Sequence, residues 1–161
     1  MSFLMTRCCG MGMVLLIVSG CQPATEVANA PIESQIKESF PNASVVSTKS
    51  KLKHFTVVRE VKLNDGGKEL EVRVAKDGTI LKVETEVALS DVPKPVADAI
   101  AEATKGRKVL EVEKVERRAT IKAGKAQKLD TPEVYYEVEY PGFLGIETEI
   151  KLMPDGSRRS H

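Results

Sequence analysis

The chain contains no tryptophan and few aromatic residues of any kind: four phenylalanines and three tyrosines among 161 residues. A core must therefore come from Val, Ile, Leu and Ala, a β-branched palette that suits strands. Cysteine stops early, at Cys8, Cys9 and Cys21. Beyond Cys21 there is no thiol, which excludes a disulfide, a zinc–cysteine site and a cysteine nucleophile there. Histidine occurs only at His54, in an expected turn, and at His161. No Gly-x-Ser-x-Gly elbow and no His-Glu-x-x-His spacing exists, so a serine triad and a zinc hydrolase both lack their parts. Charge of one sign is missing too. The 24 basic residues nearly balance the 23 acidic ones, whereas nucleic-acid binding wants a basic excess.

What is present begins with a targeting segment. Arg7 is the only charge in residues 1–20, and the apolar run MGMVLLIV at 11–18 is too short to span a bilayer as a mature helix. Val18-Ser19-Gly20-Cys21 follows. An aliphatic residue, two small residues and a cysteine resemble the lipobox of bacterial lipoproteins. Small side chains let a peptidase reach the backbone, and the thiol accepts diacylglycerol. The resemblance implies that residues 1–20 are a signal peptide, cleaved before Cys21, and that Cys21 is lipidated. Two or three acyl chains on one residue anchor stably where a single chain would not. Residues 21–31 (CQPATEVANAP) read as a flexible tether, its ten residues after the cysteine reaching about 17–20 Å as a coil. Gln22 directly follows the cysteine, which in enterobacterial sorting implies the outer membrane. The expected location is a lipid-anchored protein facing the periplasm, outer membrane slightly favoured.

The rest of the chain is written twice. Residues 69–78 read ELEVRVAKDG and residues 147–156 read ETEIKLMPDG, and such duplication bears on the architecture before any single residue does. Ahead of each lies a strand-like run, and ahead of that an amphipathic stretch. In the first copy Ile32, Ile36 and Phe40 fall at helical spacing, and Pro41 stops the helix. Strands are expected at 44–50, 55–63, 68–75 and 79–87, with Phe55, Val57, Val61 and Leu63 inward and Asn64-Asp65-Gly66-Gly67 as a hairpin turn. In the second copy Val92, Val96, Ile100 and Ala103 make the apolar stripe and Gly106 ends it. Strands follow at 108–120, 134–140 and from Ile146 to Leu152, with residues 122–132 (KAGKAQKLDTP) as a loop and a vestigial last strand after Asp155-Gly156. The expected fold is α+β: two tandem repeats, 32–90 and 91–161, each a helix packed on a small antiparallel β-sheet.

This pattern resembles the PepSY-like (β-lactamase-inhibitor-like) periplasmic domains. The matching residues are Ile32-Glu33-Ser34-Gln35-Ile36, the FPNA helix end at 40–43, the EVRV strand and DG turn within 71–78, then Val92 to Ile100, Tyr135-Tyr136-Glu137-Val138 and Glu149 to Gly156. The resemblance covers most of residues 32–158. It implies a protein that binds or inhibits other proteins, or an envelope accessory, without catalysis. The second copy departs from it, reading EATKGRK where a helix end like FPNA is expected.

The residues themselves point the same way. The carboxylate pairs Glu69/Glu71, Glu137/Glu139 and Glu147/Glu149 have strand spacing and point outward together, which suits a charged solvent face better than general acid catalysis, since that needs a desolvated carboxyl. Binding candidates lie where the copies differ. Phe143 and Leu144 form an apolar tip in place of a polar turn. Tyr135 and Tyr136 point to opposite faces, so one leaves the core. Lys122, Lys125 and Lys128 concentrate positive charge in a neutral protein. The expected function is a non-enzymatic envelope lipoprotein that binds or inhibits a protein partner through Phe143, Leu144, Tyr135 and these lysines. The alternative is a structural envelope lipoprotein or a sensor of a small or peptidic ligand. No cofactor, metal or nucleic acid is expected, and the membrane is met through Cys21.

Overall fold

The computed structural model describes residues 30–53 and 55–160. Residues 1–20, expected to be a signal peptide, Cys21 with residues 22–29, His54 and His161 lie outside the described residues. The elements are α1 (Ala30–Ser39), β1 (Ser44–Lys53), β2 (Thr56–Asp65), β3 (Lys68–Ala75), β4 (Ile80–Glu86), a 3-10 turn (Leu89–Asp91), α2 (Lys94–Thr104), β5 (Glu111–Lys122), β6 (Lys125–Pro141), a second 3-10 turn (Phe143–Gly145) and β7 (Glu147–Leu152). None of the described helices is long and apolar enough to cross a membrane.

The expectation of two tandem units, each with its own small sheet, is overturned. The strands form one seven-stranded antiparallel sheet in the order β1 to β7. The joint is β4 on β5, in register from Lys82 opposite Arg117 to Glu86 opposite Glu113. The physical reason is edge economy. Separate sheets would leave β4 and β5 as bare edges with unpaired backbone donors and acceptors, whereas the joined sheet leaves only β1 and β7. Edge strand β1 is exposed nearly throughout and places Lys49, Lys51 and Lys53 at alternate positions, a charge pattern that discourages another chain from pairing there.

Both helices lie on the same face of this sheet. In α1, Ile32 and Ile36 pack on Val61, Leu63, Val72, Val74, Ile80 and Val83. In α2, Val96 and Ile100, with Val92 just ahead of the helix, pack on Val112, Tyr136, Val138, Tyr140, Ile150 and Leu152. The four-residue spacing in each helix is the sequence's apolar stripe, and the alternate residues of the strands supply the other half. α2 ends where Lys105 turns left-handed at φ 51° and donates its backbone N–H to the carbonyl of Ala101.

The duplicated Asp-Gly turns are what seats each helix. Asp77 Oδ1 accepts from the Thr79 N–H at 2.9 Å, and Asp155 Oδ1 accepts from the Ser157 N–H at 2.9 Å. At Gly78 (φ 89°) a Cβ would lie 2.9 Å from the carbonyl oxygen of Pro31. At Gly156 (φ 83°) it would lie 2.5 Å from that of Pro95. Pro31 and Pro95 stand in the first turns of α1 and α2, so each turn abuts the start of its own copy's helix, and only glycine allows that approach.

Two local expectations also change. Residues 122–132 are not a loop: β6 runs through them from Lys125, paired with β5 as far as Lys122 opposite Lys125 across a tight turn at Ala123 (φ 48°) and Gly124 (φ 75°). Phe55 does not enter the core. It sits in the β1–β2 turn at φ 59°, fully exposed. The vestigial last strand after Asp155-Gly156 is found as expected, as a bridge between Leu152 and Arg158, with the Arg159 N–H donating to the Lys151 carbonyl at 2.9 Å.

Gly156→Ala should cost about 2–4 kcal/mol, a left-handed penalty plus a steric one, while Gly66→Ala, which meets nothing within 4 Å, should cost about 1 kcal/mol. Urea denaturation of both variants measures the difference. Equal losses would mean that the turn does not seat the helix.

Candidate functional site

The buried residues of both helices belong to the clusters on one face, so among the described residues no helix covers the other. That open face carries the second set of alternate residues, and most are charged. The strand register sorts them into rows. One row reads Glu60, Arg73, Lys82, Arg117, Glu133 across β2 to β6. The next reads Lys62, Glu71, Glu84, Val115, Tyr135. Then come Glu86, Glu113, Glu137 and Lys151, and after them Glu111, Glu139 and Glu149. Like charges thus stand directly opposite one another: three cations in succession in the first row, and glutamates in the rows nearer the β2–β3 and β6–β7 turns. Like charges opposite across strands destabilise a sheet. A net charge near zero conceals an acidic half and a basic middle.

Pairing of opposite charges, across and along the strands, relieves part of this strain. Lys51 meets Glu60 at 2.5 Å, Glu60 meets Arg73 at 2.6 Å, and Arg73 lies 3.9 Å from Glu84. Glu84 bonds Lys82, Lys82 lies 3.9 Å from Glu137, and Glu137 meets Lys151 at 2.6 Å. Charges of alternating sign therefore link β1 to β7. Only β5 contributes none to this chain; its Val115, fully buried, lies between Glu84 and Tyr135 in the register. Of the carboxylates expected to face solvent, Glu69, Glu147 and Glu149 do, whereas Glu137 is buried. Glu60, Glu84 and Glu137 are 4–6% exposed.

Burial and pairing pull their proton affinities in different directions. Burial raises Glu84 above the usual carboxylate range against the opposing charge of Lys82. In Glu60, burial is outweighed by hydrogen bonds from Lys51 and Arg73, so the group sits low. In Glu137, burial is again outweighed, by the Lys151 hydrogen bond and the Lys82 charge. Glu113 is pushed up to about 7 by burial and by Glu84, Glu111 and Glu137. Glu139 is raised by burial and by Glu147. The carboxylates of Glu84, Glu113 and Glu137 converge within 4.8 Å, a grouping that could hold a cation. The Lys82 ammonium, already beside Glu84 and Glu137, supplies positive charge there from the chain itself.

At the basic side of the face lies a cavity of about 350 Å³. Two register shifts shape it. The pairing of β3 with β4 slips between Arg73 and Val74, which leaves Leu81 unpaired, and that of β5 with β6 slips between Arg117 and Ala119. Such bulges bend strands and re-aim side chains. Val58, Ala75, Leu81 and Ala119 form a small apolar cluster here, with Ile121 and Ala126 of the long hairpin against it.

The residues singled out from the sequence scatter around this face. Tyr135 is only 4% exposed. It lines the cavity, with the Arg159 guanidinium 4.4 Å and the Lys151 ammonium 5.9 Å from its ring centre. Burial and the Glu137 charge lift its hydroxyl to about 12. Lys122, Lys125 and Lys128 are exposed on the β5–β6 hairpin. Phe143 and Leu144 occupy the turn before β7, where Leu144 is 82% exposed. They stand at the opposite end of the strands from that hairpin, so the candidates do not form one cluster. Sequence reasoning missed Glu60, Lys82, Glu84 and Glu113. Their signal was charge at every second position of consecutive strands, which becomes a site only once register is known.

The arrangement defines a class: an open-faced antiparallel sheet with two helices on the opposite side. Solved structures share it. A BLIP-like protein from Bacteroides fragilis NCTC 9343 is 20% identical with a TM-score of 0.58, covering 81% of this chain and 82% of its own. A DUF2874 family protein from Bacteroides uniformis ATCC 8492 is 17% identical with a TM-score of 0.59, covering 80% and 84%. A candidate periplasmic protein from Bacteroides eggerthii DSM 20697 is 15% identical with a TM-score of 0.58, covering 80% and 83%. No family model matches the chain, and neither does any curated protein. The similarity is one of fold, and the fold is BLIP-like.

Glu113 gives the face a testable pH dependence. Its folded value near 7 exceeds the ordinary 4.5, so the folded state holds a proton that the unfolded chain releases. The stability gained this way is complete below about pH 4.5 and is lost as pH rises through about 7. Glu113→Gln should therefore gain on the parent between about pH 5 and about pH 8, the gap levelling off above that. Urea denaturation at several pH values measures it, and a pH-independent gap would refute the half-buried, crowded state of this carboxyl.

Proposed function

We propose that the chain is a non-enzymatic, protein-binding module of the bacterial envelope, of the PepSY-like kind, that docks a protein partner on the open sheet face. One observation carries this reading: like charges are stacked opposite one another on adjacent strands of a face that no described helix covers. Arrangements that cost stability persist where function uses them. A partner with the complementary pattern, basic toward Glu69, Glu71, Glu86 and Glu111 and acidic toward Arg73, Lys82 and Arg117, would relieve both blocks at once, and such complementarity sets specificity and association rate. The exposed Leu144 turn borders the acidic half and adds an apolar contact. Phe143 beside it belongs to the same proposal. The lipobox-like Val18 to Cys21 supports an anchor on Cys21 with the domain facing the periplasm, and the BLIP-like and candidate periplasmic neighbours fit that setting. The cavity favours a second reading, a sensor of a small or peptidic ligand.

Cross-linking of the lipidated protein in its native envelope tests the first reading. A single stoichiometric partner is expected, and reversing the exposed Glu69 and Glu86 to Lys should weaken its capture at least about tenfold. Glu102→Lys, on the helix side, should leave capture unchanged. Equal capture by all three proteins, or no partner at all, would remove the open face as the docking surface.

A further inference from the structure

We propose that the cavity at the basic side of the sheet is a binding site for a carboxylate carried on a short aliphatic stem. The inference rests on the second reading of the face, that of a ligand-binding protein, and requires no captured protein partner.

The cavity wall has two chemistries side by side. Val58, Leu81, Ala119 and Ile121 give it an apolar part, and Lys53, Arg73, Lys82, Arg117 and Lys151 give it positive charge. Glu137 is the one carboxylate in the wall. The acids that pair with Arg73, Lys82 and Arg117 are Glu60, Glu84 and Glu133, and none of them lines the cavity. The cavity therefore meets the cations of these pairs and not their acids.

The hydrogen-bond inventory points the same way. The Nε–H groups of Arg73 and of Arg117 are both buried without an acceptor; Glu84 Oε2, outside the cavity wall, is buried without a donor. Buried donors are ordinarily satisfied, so two orphans in one cavity wall ask for an acceptor from outside the chain. A carboxylate accepts such bonds in charge-assisted form, about twice as strong as neutral ones. The apolar part then requires that the anion arrive on an aliphatic stem, because bare inorganic anions would leave Val58, Leu81 and Ala119 with nothing to cover them. The bulges explain why the site is here. Where β3–β4 and β5–β6 fall out of register, Leu81 is free of pairing and swings onto the charged face beside the row of three cations.

Such a carboxylate has two sources, a free short-chain acid or the acidic side chain of a polypeptide. The test uses the full chain in detergent micelles with labelled Leu, Val and Ala methyls, titrated with butyrate against butyramide and with acetyl-Leu-Glu-Leu-amide against its Gln counterpart. At least one acid should bind about tenfold or more tightly than its amide, with shifts centred on Val58, Leu81 and Ala119. Which pair shows the preference identifies the source. Arg117→Gln should reduce the preference to within about threefold. Arg117 is partly exposed, and Glu133 keeps Arg159 at 2.9 Å, so this variant retains the fold, which its methyl spectrum verifies. Acid and amide binding alike in both pairs, shifts away from the cavity, or an undiminished preference in Arg117→Gln would each overturn the proposal.

Discussion

The run of charges from Lys51 to Lys151 is the interaction on which the rest of the molecule depends. It links β1, β2, β3, β4, β6 and β7 through Glu60, Arg73, Glu84, Lys82 and Glu137. One contact in it, Lys82 to Glu137, reaches from the first copy to the second across β5. Buried pairs of this kind add little net stability over apolar residues, but removing one partner is expensive because the other is left uncompensated. Their worth lies in register. A sheet that slipped by one residue would turn every glutamate and lysine of this network toward the helices. The apolar side and the charged side therefore enforce the same alignment, and the two copies are held as one platform.

That platform separates duties between its faces. The helix side contains what the copies share: an apolar stripe every four residues, alternating valines and leucines, and an Asp-Gly turn closing on a helix start. The open side is charged, and part of it is common to both segments: Glu71 and Arg73 stand where Glu149 and Lys151 stand in the second. The first half adds Lys82 and Glu84, the second Glu113 and Tyr135, and the rows become continuous across the sheet where β4 meets β5. The helix side supplies the scaffold, and the open side presents charges that are only partly satisfied within the chain.

How much of this could be read from the sequence follows from the range of the interactions. The helices and most strands were legible, because Ile32/Ile36 and Leu70/Val72/Val74 announce their periods locally. The Asp-Gly turns were legible as turns, but not as helix seats, since Pro31 and Pro95 reach them only in three dimensions. The long hairpin was misread as a loop because residues 122–132 show few large apolar side chains, and its pairing is fixed by Arg117 and Ala119 on the neighbouring strand. The single sheet was missed for the same reason: nothing local in Lys82–Glu86 or Glu113–Arg117 says that these two edges meet. The site depends on that meeting. Glutamates at alternate positions look solvated strand by strand, and become buried and crowded only when neighbouring strands bring Glu84, Glu113 and Glu137 together.

The central claim is that the two copies form one cooperative sheet. The chain offers a direct measure, because it has no tryptophan and its three tyrosines, Tyr135, Tyr136 and Tyr140, all lie on β6 in the second copy. Tyrosine emission reports that copy alone, while far-ultraviolet circular dichroism reports both. In a urea titration the two signals should follow one coincident transition, as a single cooperative unit requires. A tyrosine transition displaced from the circular dichroism transition would show two units unfolding independently, and would contradict the account.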